Sequence, residues 1–223
     1  MKQLTALKHI IDCVELQKEM NNRVNPNWIN EGWDFLLAAR MEAAEAIDHY
    51  GWKWWKKQEP NIDQCKIELV DIFHFLLSDM IIYAGDDSEE FSEMLYELSL
   101  NAVHDNKYKF VDAMVCLMQT QETVYTSSFM GVEAYSNPFT WLFGAARYID
   151  FDIEDFFKMY KAKNILNIFR QDNGYKEGTY IKEWDGLEDN DFLLSIYDNC
   201  QGRRDLIEKE LENKYLEVKN NSK

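Results

Sequence analysis

The stretch Glu42-Ala43-Ala44-Glu45-Ala46 sets two carboxylates three residues apart, about 60° around a helix of 3.6 residues per turn, so both aim at one place. The alanines around them are small enough to let a second helix approach closely. Glu68-Leu69-Val70-Asp71-Ile72-Phe73-His74-Phe75 repeats the three-residue acid spacing. There Glu68 and Asp71 share their side with Phe75 and Ile82, which a wholly solvated face would not need. Two helices laid antiparallel, acid pair toward acid pair, are what these stretches imply.

Working outward, apolar residues recur at three- and four-residue spacing along nearly the whole chain, and only nine Gly and three Pro interrupt its 223 residues. That pattern reads as all-α. It predicts helices over about 3–21, 28–50, 64–84, 88–101, 105–121, 137–148, 151–171 and 191–218, with Pro26 and Pro60 in the first two breaks. Residues 1–223 read as one domain. Within it about 85–140 reads as an insertion or mobile lobe, because it combines short helices with polar joints such as Thr126-Ser127-Ser128 and carries no chemical motif. Residues 173–190 turn Gly-rich and aromatic, and beyond Glu208 a charged tail is expected to fray.

With 46% hydrophobic and 14% aromatic residues the chain can bury a sizeable core, which argues against disorder. Its formal charge of −16 repels nucleic-acid backbones and anionic membranes, so neither is an expected partner. Cys13, Cys65, Cys116 and Cys200 are scattered without a CxxC pair and read as reduced thiols. No run approaches the roughly 20 apolar residues of a membrane span, nor does the N-terminus carry a signal-like apolar stretch. The expectation is a cytoplasmic protein.

Two acid pairs across antiparallel helices offer only hard oxygen ligands, which suits Mg²⁺, with Mn²⁺ as a substitute, and leaves room for phosphates. Glu31, Asp34, Glu42, Glu45 and Asp48 extend the first pair into an acidic stripe without Lys or Arg, a repulsion that invites a cation. The same spacings also serve the wet sides of amphipathic helices, and that alternative stays open here. Asp71 and His74 form a DxxH, but no Glu-x-x-His answers it on a second helix, so His74 reads as a packed, hydrogen-bonded residue.

Charge is segregated near the C-terminus. Between Lys158 and Lys182 six bases (Lys158, Lys161, Lys163, Arg170, Lys176, Lys182) meet two acids (Asp172, Glu177), or 6 − 2 = +4. Lys163, Asn167 and Arg170 fall at i, i+4 and i+7, on one helix face. Lys as a point charge and Arg as a fork make a fitting clamp for a polyphosphate; a solvated face near a helix C-terminus is the plainer alternative.

Taken in order, Leu16-Gln17-Lys18-Glu19-Met20-Asn21, Glu42-Ala43-Ala44-Glu45 leading to Trp52-Lys53-Trp54-Trp55-Lys56, Glu68 to Phe75, Lys163 to Gln171, Gly174-Tyr175-Lys176 and Gly178-Thr179-Tyr180 resemble the dimeric dUTPases of certain bacteria and trypanosomatids, a branch of the all-α NTP pyrophosphatases. The resemblance implies that Glu42, Glu45, Glu68 and Asp71 hold Mg²⁺, with Glu42 or Glu45 also orienting or deprotonating the attacking water. It implies that Lys163, Arg170, Tyr175 and Lys182 face the phosphates with Asn167 nearby, and that Gln17 and Asn21 read uracil. Trp52, with Trp54 and Trp55, is a candidate for an aromatic wall and an indole N–H to the nucleoside; core or dimer interface is the plainer reading of that cluster. The resemblance further implies a homodimer acting on dUTP, and on dUDP. A dCTPase or broader nucleotide pyrophosphatase on the same fold is the nearest rival, since amides present either donor or acceptor to a pyrimidine edge. A non-enzymatic helical adaptor is the rival from another class.

Overall fold

Helix α1 (Lys2–Val24) carries Ile10, Cys13, Val14, Gln17 and Asn21 along one stripe, and all five are buried. Burial of two amides on the same face as aliphatic residues already marks this helix as more than a packing element. The structure is a computed structural model and describes residues 2–84, 88–101, 109–120 and 137–221. After α1 come a 3₁₀ turn (Trp28–Asn30), α2 (Phe35–Tyr50), α3 (Ile62–Ala84), α4 (Ser88–Asn101), α5 (Phe110–Gln119), α6 (Pro138–Tyr148) and α7 (Ile153–Asp172). A two-residue hairpin, β1 (Glu183–Trp184) and β2 (Leu187–Glu188), precedes α8 (Asp189–Asn199) and α9 (Arg204–Asn221). The described residues are thus all-α apart from that hairpin.

Helices α2 and α3 form the most extensive helix pair. Ala39, Ala43 and Ala46 are fully buried on α2, at i, i+4 and i+7, so the helix presents an all-alanine seam on one face. The Cys65 thiol reaches the Ala46 carbonyl at 3.6 Å, while at the other end Phe35 and Phe75 rings sit 6.4 Å apart. Contacts that rise along one helix and fall along the other make the pair antiparallel, as the sequence implied. Gly51 closes α2 in the left-handed region at φ +81°, and a Cβ there would lie 3.0 Å from Gln58 Cβ, so glycine fits both the turn and the packing.

Two apolar clusters result, and α7 serves both. Phe156, Phe157 and Tyr160 join the larger cluster with α1 to α6, and Ala162, Ile165 and Leu166 join the smaller one with Trp184, α8 and α9. Described parts of the 85–140 stretch contribute Met94, Leu95, Leu98, Phe110, Ala113, Met114 and Leu117 to the larger cluster. Residues 85–87, 102–108 and 121–136 of that stretch, including the polar joint at 126–128, lie outside the described residues.

Three sequence expectations need correction. The helix expected over 28–50 begins only at Phe35, because Asp34 caps it by accepting from Leu37 N at 2.7 Å; a side chain that satisfies the first free N–H groups ends the helix there. The helix expected over 191–218 divides at Cys200–Arg203 into α8 and α9. The expected fraying beyond Glu208 is absent as well: Ile207, Leu211, Tyr215 and Val218 form a buried stripe, and α9 runs to Asn221.

A buried clasp ties α7 to α8. Arg170 Nε and Nη2 donate to the two oxygens of Asp189 at 2.8 and 2.6 Å, and Tyr180 donates to Asp189 Oδ2 at 2.8 Å. The Asp189 side chain is fully buried. Removing one partner of such a pair strands a buried charge, which costs about 3–5 kcal/mol, whereas replacing both by apolar groups is close to neutral. Arg170→Met alone is therefore expected to lower the urea unfolding midpoint strongly, and Arg170→Met with Asp189→Leu to recover most of the loss. A double variant no more stable than the single one would show that the clasp is not the source.

Candidate functional site

The α2–α3 seam brings Glu42 from one helix against Glu68 and Asp71 from the other. One oxygen of each of the three lies within 4.8 Å of the others, and Glu68 is buried while Glu42 and Asp71 are half-buried. Burial, the nearby Asp71 charge and a hydrogen bond with Glu68 push the Glu42 carboxyl up to about 8. Burial likewise pushes Glu68 up to about 7. Glu45 adds to the repulsion on both but is exposed and stands outside the trio. Lys163 Nζ lies 2.8 Å from Asp71 Oδ2, and His49 Nε2 lies 3.5 Å from Glu68 Oε1. Three carboxyl groups crowded so closely are a donor set that a hard divalent cation fits, because its two charges relieve their mutual repulsion.

Beside the trio opens a cavity of about 370 Å³, lined by residues from α1, the 31–34 turn, α2, α3 and α7. Gln17, Asn21, Glu42, Asp71, Lys163, Asn167, Arg170 and Tyr175 all line it, so eight of the residues expected from sequence meet in one place. Trp33, Phe35 and Phe75 give it an aromatic wall. At its α1 end lies a buried polar network. Gln17 Nε2 donates to Asn21 Oδ1 and to Ser78 Oγ, each at 3.0 Å, and Gln17 Oε1 accepts from Tyr160 at 2.8 Å and from His74 Nδ1 at 2.7 Å. Burial holds His74 well below its ordinary range, at about 3, so the ring is neutral, packed and hydrogen-bonded as expected.

Other expected residues stand elsewhere. Trp52 is about half-exposed, donates to Asp48 Oδ1 at 3.3 Å, stacks edge-on with Trp55 and does not line the cavity; Trp33, from the turn before α2, provides the exposed indole there instead. Lys182 pairs with Glu188 across the hairpin at 2.9 Å. It lies within electrostatic range of Arg170 and Tyr175 but outside the cavity lining. The acidic stripe dissolves: Asp34 is the α2 cap, Glu31 accepts from Asn25 at 2.9 Å, and Asp48 pairs with Lys53.

The basic island is compensated as well. Lys158 pairs with Asp198, Lys161 with Asp12, Lys163 with Asp71, Arg170 with Asp189 and Lys182 with Glu188, and Lys176 donates to the Val24 carbonyl. Arg170 was expected to offer a free fork to phosphate. Four of its five N–H groups are engaged, by Asp189 twice, by Asn167 and by Asn190. Its guanidinium carbon sits 5.8 Å from the centre of the Tyr175 ring. A larger cavity of about 740 Å³, lined by α1, α7 and α9, is rimmed by already paired charges such as Arg204 with Glu19 and Glu208.

An acid trio that suits a cation, a lysine held against it, and amides and rings at the far end of the same cavity make a helical site fit for an anionic, planar-headed ligand. The chain belongs to the dUTPase family, whose model, described as dUTPase, matches residues 9–175. Membership makes it an enzyme of the dUTPase type, a hydrolase whose substrate is a nucleotide. Comparison with curated proteins finds none that matches. Asp189, the partner of Arg170, lies beyond the matched residues.

The crowded carboxyls make stability depend on pH. A carboxyl whose folded value is raised binds its proton more tightly when folded, so its contribution is fully present below its unfolded value, near 4.5, and is lost as pH rises through the folded value. For Glu68 and Glu42 those folded values are about 7 and about 8. The metal-free protein is therefore expected to melt lower at pH 8.5 than at pH 5.5, and Mg²⁺ to raise the melting temperature far more at the higher pH. Glu42→Gln should flatten both dependences. An Mg²⁺ shift equal at the two pH values would remove the trio as its binding site.

Proposed function

We propose that the chain hydrolyses dUTP to dUMP and pyrophosphate, and dUDP to dUMP and phosphate, in an Mg²⁺-dependent reaction at the cavity between α1, α2, α3 and α7. The observation that carries this reading is the convergence of Glu42 and Asp71, two of the three clustered carboxyls, with Lys163 and the Gln17–Asn21 amides on one cavity, in a chain of the dUTPase family.

Glu42, Glu68 and Asp71 would hold the cation through hard oxygens. A Mg²⁺ ion held there would supply charge against the triphosphate and make water a better nucleophile. Glu45, exposed beside the trio, is the carboxylate left to orient that water and accept its proton. Lys163, held at 2.8 Å from Asp71, would pass from that carboxylate to a phosphate oxygen. Arg170, engaged by Asp189 and Asn167, acts as a rigid strut that positions Asn167 and the Tyr175 ring. The base enters between the aromatic wall and the amides, with Trp33, Phe35 and Phe75 on one side.

A homodimer is part of the same reading. Leu37 and Met41 are half-exposed one turn apart on α2, and Trp54 is 88% exposed; such apolar surface is what a self-complementary interface covers. All four cysteines are free thiols, which supports a reducing compartment such as the cytoplasm. The −16 charge speaks against nucleic acid as a partner, and no helix among the described residues is long and apolar enough to cross a membrane.

With Mg²⁺, chromatography of the products is expected to show dUMP and pyrophosphate from dUTP, dUMP and phosphate from dUDP, and little from dATP or dGTP. EDTA should stop the reaction, and Glu68→Gln should reduce turnover by on the order of a hundredfold or more with helicity intact. Faster turnover of dCTP would turn the reading toward a dCTPase, and equal turnover of purines toward a broader pyrophosphatase. No turnover of any nucleotide with Mg²⁺ or Mn²⁺ would favour the helical adaptor.

A further inference from the structure

The buried amides at the α1 end of the cavity can be counted donor by donor. Gln17 is spent: its two N–H groups go to Asn21 and Ser78, and its oxygen takes Tyr160 and His74. Ser78, completely buried, is spent as well. It donates to the His74 carbonyl at 3.0 Å and accepts from Gln17 Nε2 at 3.0 Å and from Asn21 Nδ2 at 2.9 Å. A serine hydroxyl has one proton and two lone pairs, and all three are in use. Of these three side chains Asn21 keeps spare capacity, with one N–H on Nδ2 and one lone pair on Oδ1 beyond those given to Ser78 and taken from Gln17.

A free carboxamide pairs with either pyrimidine edge by turning over, since uracil offers N3–H beside a carbonyl and cytosine offers a bare N3 beside an amino group. Asn21 is not free to turn. Turned over, its N–H groups would face those of Gln17 Nε2, and its oxygen would face the lone pairs of Ser78, whose proton is committed to the His74 carbonyl. Inverting the whole network instead requires Gln17 to turn too, which presents N–H to His74 Nδ1 and drives the ring to its other tautomer.

We propose that Ser78 is a specificity-determining positioning residue: by back-bonding to the His74 carbonyl it stays an acceptor toward Gln17 and Asn21, locks the Asn21 amide in one orientation, and so makes the cavity discriminate uracil from cytosine. In this arrangement Gln17 positions Asn21 rather than reading the base, and Tyr160 and His74 hold Gln17 from behind. Tyr160 is fully buried and also lies 3.0 Å from the Cys13 carbonyl, which fixes its hydroxyl on α1. The inference rests on the dUTP reading above.

The test compares kcat/KM for dUTP and dCTP in the wild type and in Ser78→Ala, beside the melting shift produced by Mg²⁺. The expected result is a fall in the dUTP-to-dCTP ratio on the order of tenfold, from the loss of a buried lock worth about one hydrogen bond, with the Mg²⁺ shift unchanged. Equal losses on both nucleotides, leaving the ratio where it was, would reduce Ser78 to a structural residue and overturn the proposal. A second measurement needs no variant: ¹⁵N ring shifts of His74 in the wild type should report a protonated Nδ1 and a bare Nε2, and the opposite tautomer would overturn the lock directly. A wild type that turns over neither nucleotide would sink the dUTP reading together with the proposal. A dUTP-selective wild type whose ratio Ser78→Ala leaves unmoved would sink the proposal alone.

Discussion

The α2–α3 seam is the constraint on which the site depends. Ala39, Ala43 and Ala46 present nothing larger than a methyl to α3, and interiors pack without voids, so the second helix settles close. Closeness then decides electrostatics. Glu42 and Glu68 lie on the rim of that seam and cannot avoid each other or Asp71, which raises both carboxyls and creates an appetite for positive charge. Lys163 from α7 answers part of it. A bulkier residue in place of Ala43 would separate the helices and dissolve the trio without touching an acid.

Helix α7 does the remaining assembly. Its N-terminal half packs Phe156, Phe157 and Tyr160 against α1 and α3, and its C-terminal half packs Ile165 and Leu166 against α8 and α9. Between these faces, Lys163 and Asn164 are buried among apolar neighbours. Both apolar clusters therefore hold the one helix that brings the cation to Asp71 and Asn167 to the cavity. The Arg170–Asp189 clasp adds a direction: it makes the part of the chain beyond the family match a support for residues within it.

The polar network behind the cavity shows how buried groups convert packing into selectivity. Every donor and acceptor of Gln17 and Ser78 is used within the protein, and in a low-dielectric interior such networks have few alternative arrangements. A charge–charge contact could tolerate rotation; a chain of amides, a hydroxyl and a neutral imidazole cannot. The cavity thus combines a tunable acid end with a rigid amide end.

The sequence by itself determined the helical class and the acid spacing on two helices, because helical periodicity is local and three- or four-residue spacing survives any packing; Gln17, Asn21 and Tyr175 were legible only through the family resemblance. That Gln17 and Asn21 lie on the buried stripe of Ile10, Cys13 and Val14 is a finding of the structure. Tertiary structure alone decided which charges remain uncompensated. The basic island looked free because Asp12, Asp71, Asp189 and Asp198 lie outside it along the chain, yet folding pairs each with one of its bases. It decided that Trp33 rather than Trp52 borders the cavity, since Trp33 stands in the turn just before the Asp34 cap that starts α2. And it decided the roles of Ser78 and Tyr160, whose significance is the hydrogen bonds they complete across helices, a property that no spacing within one helix records.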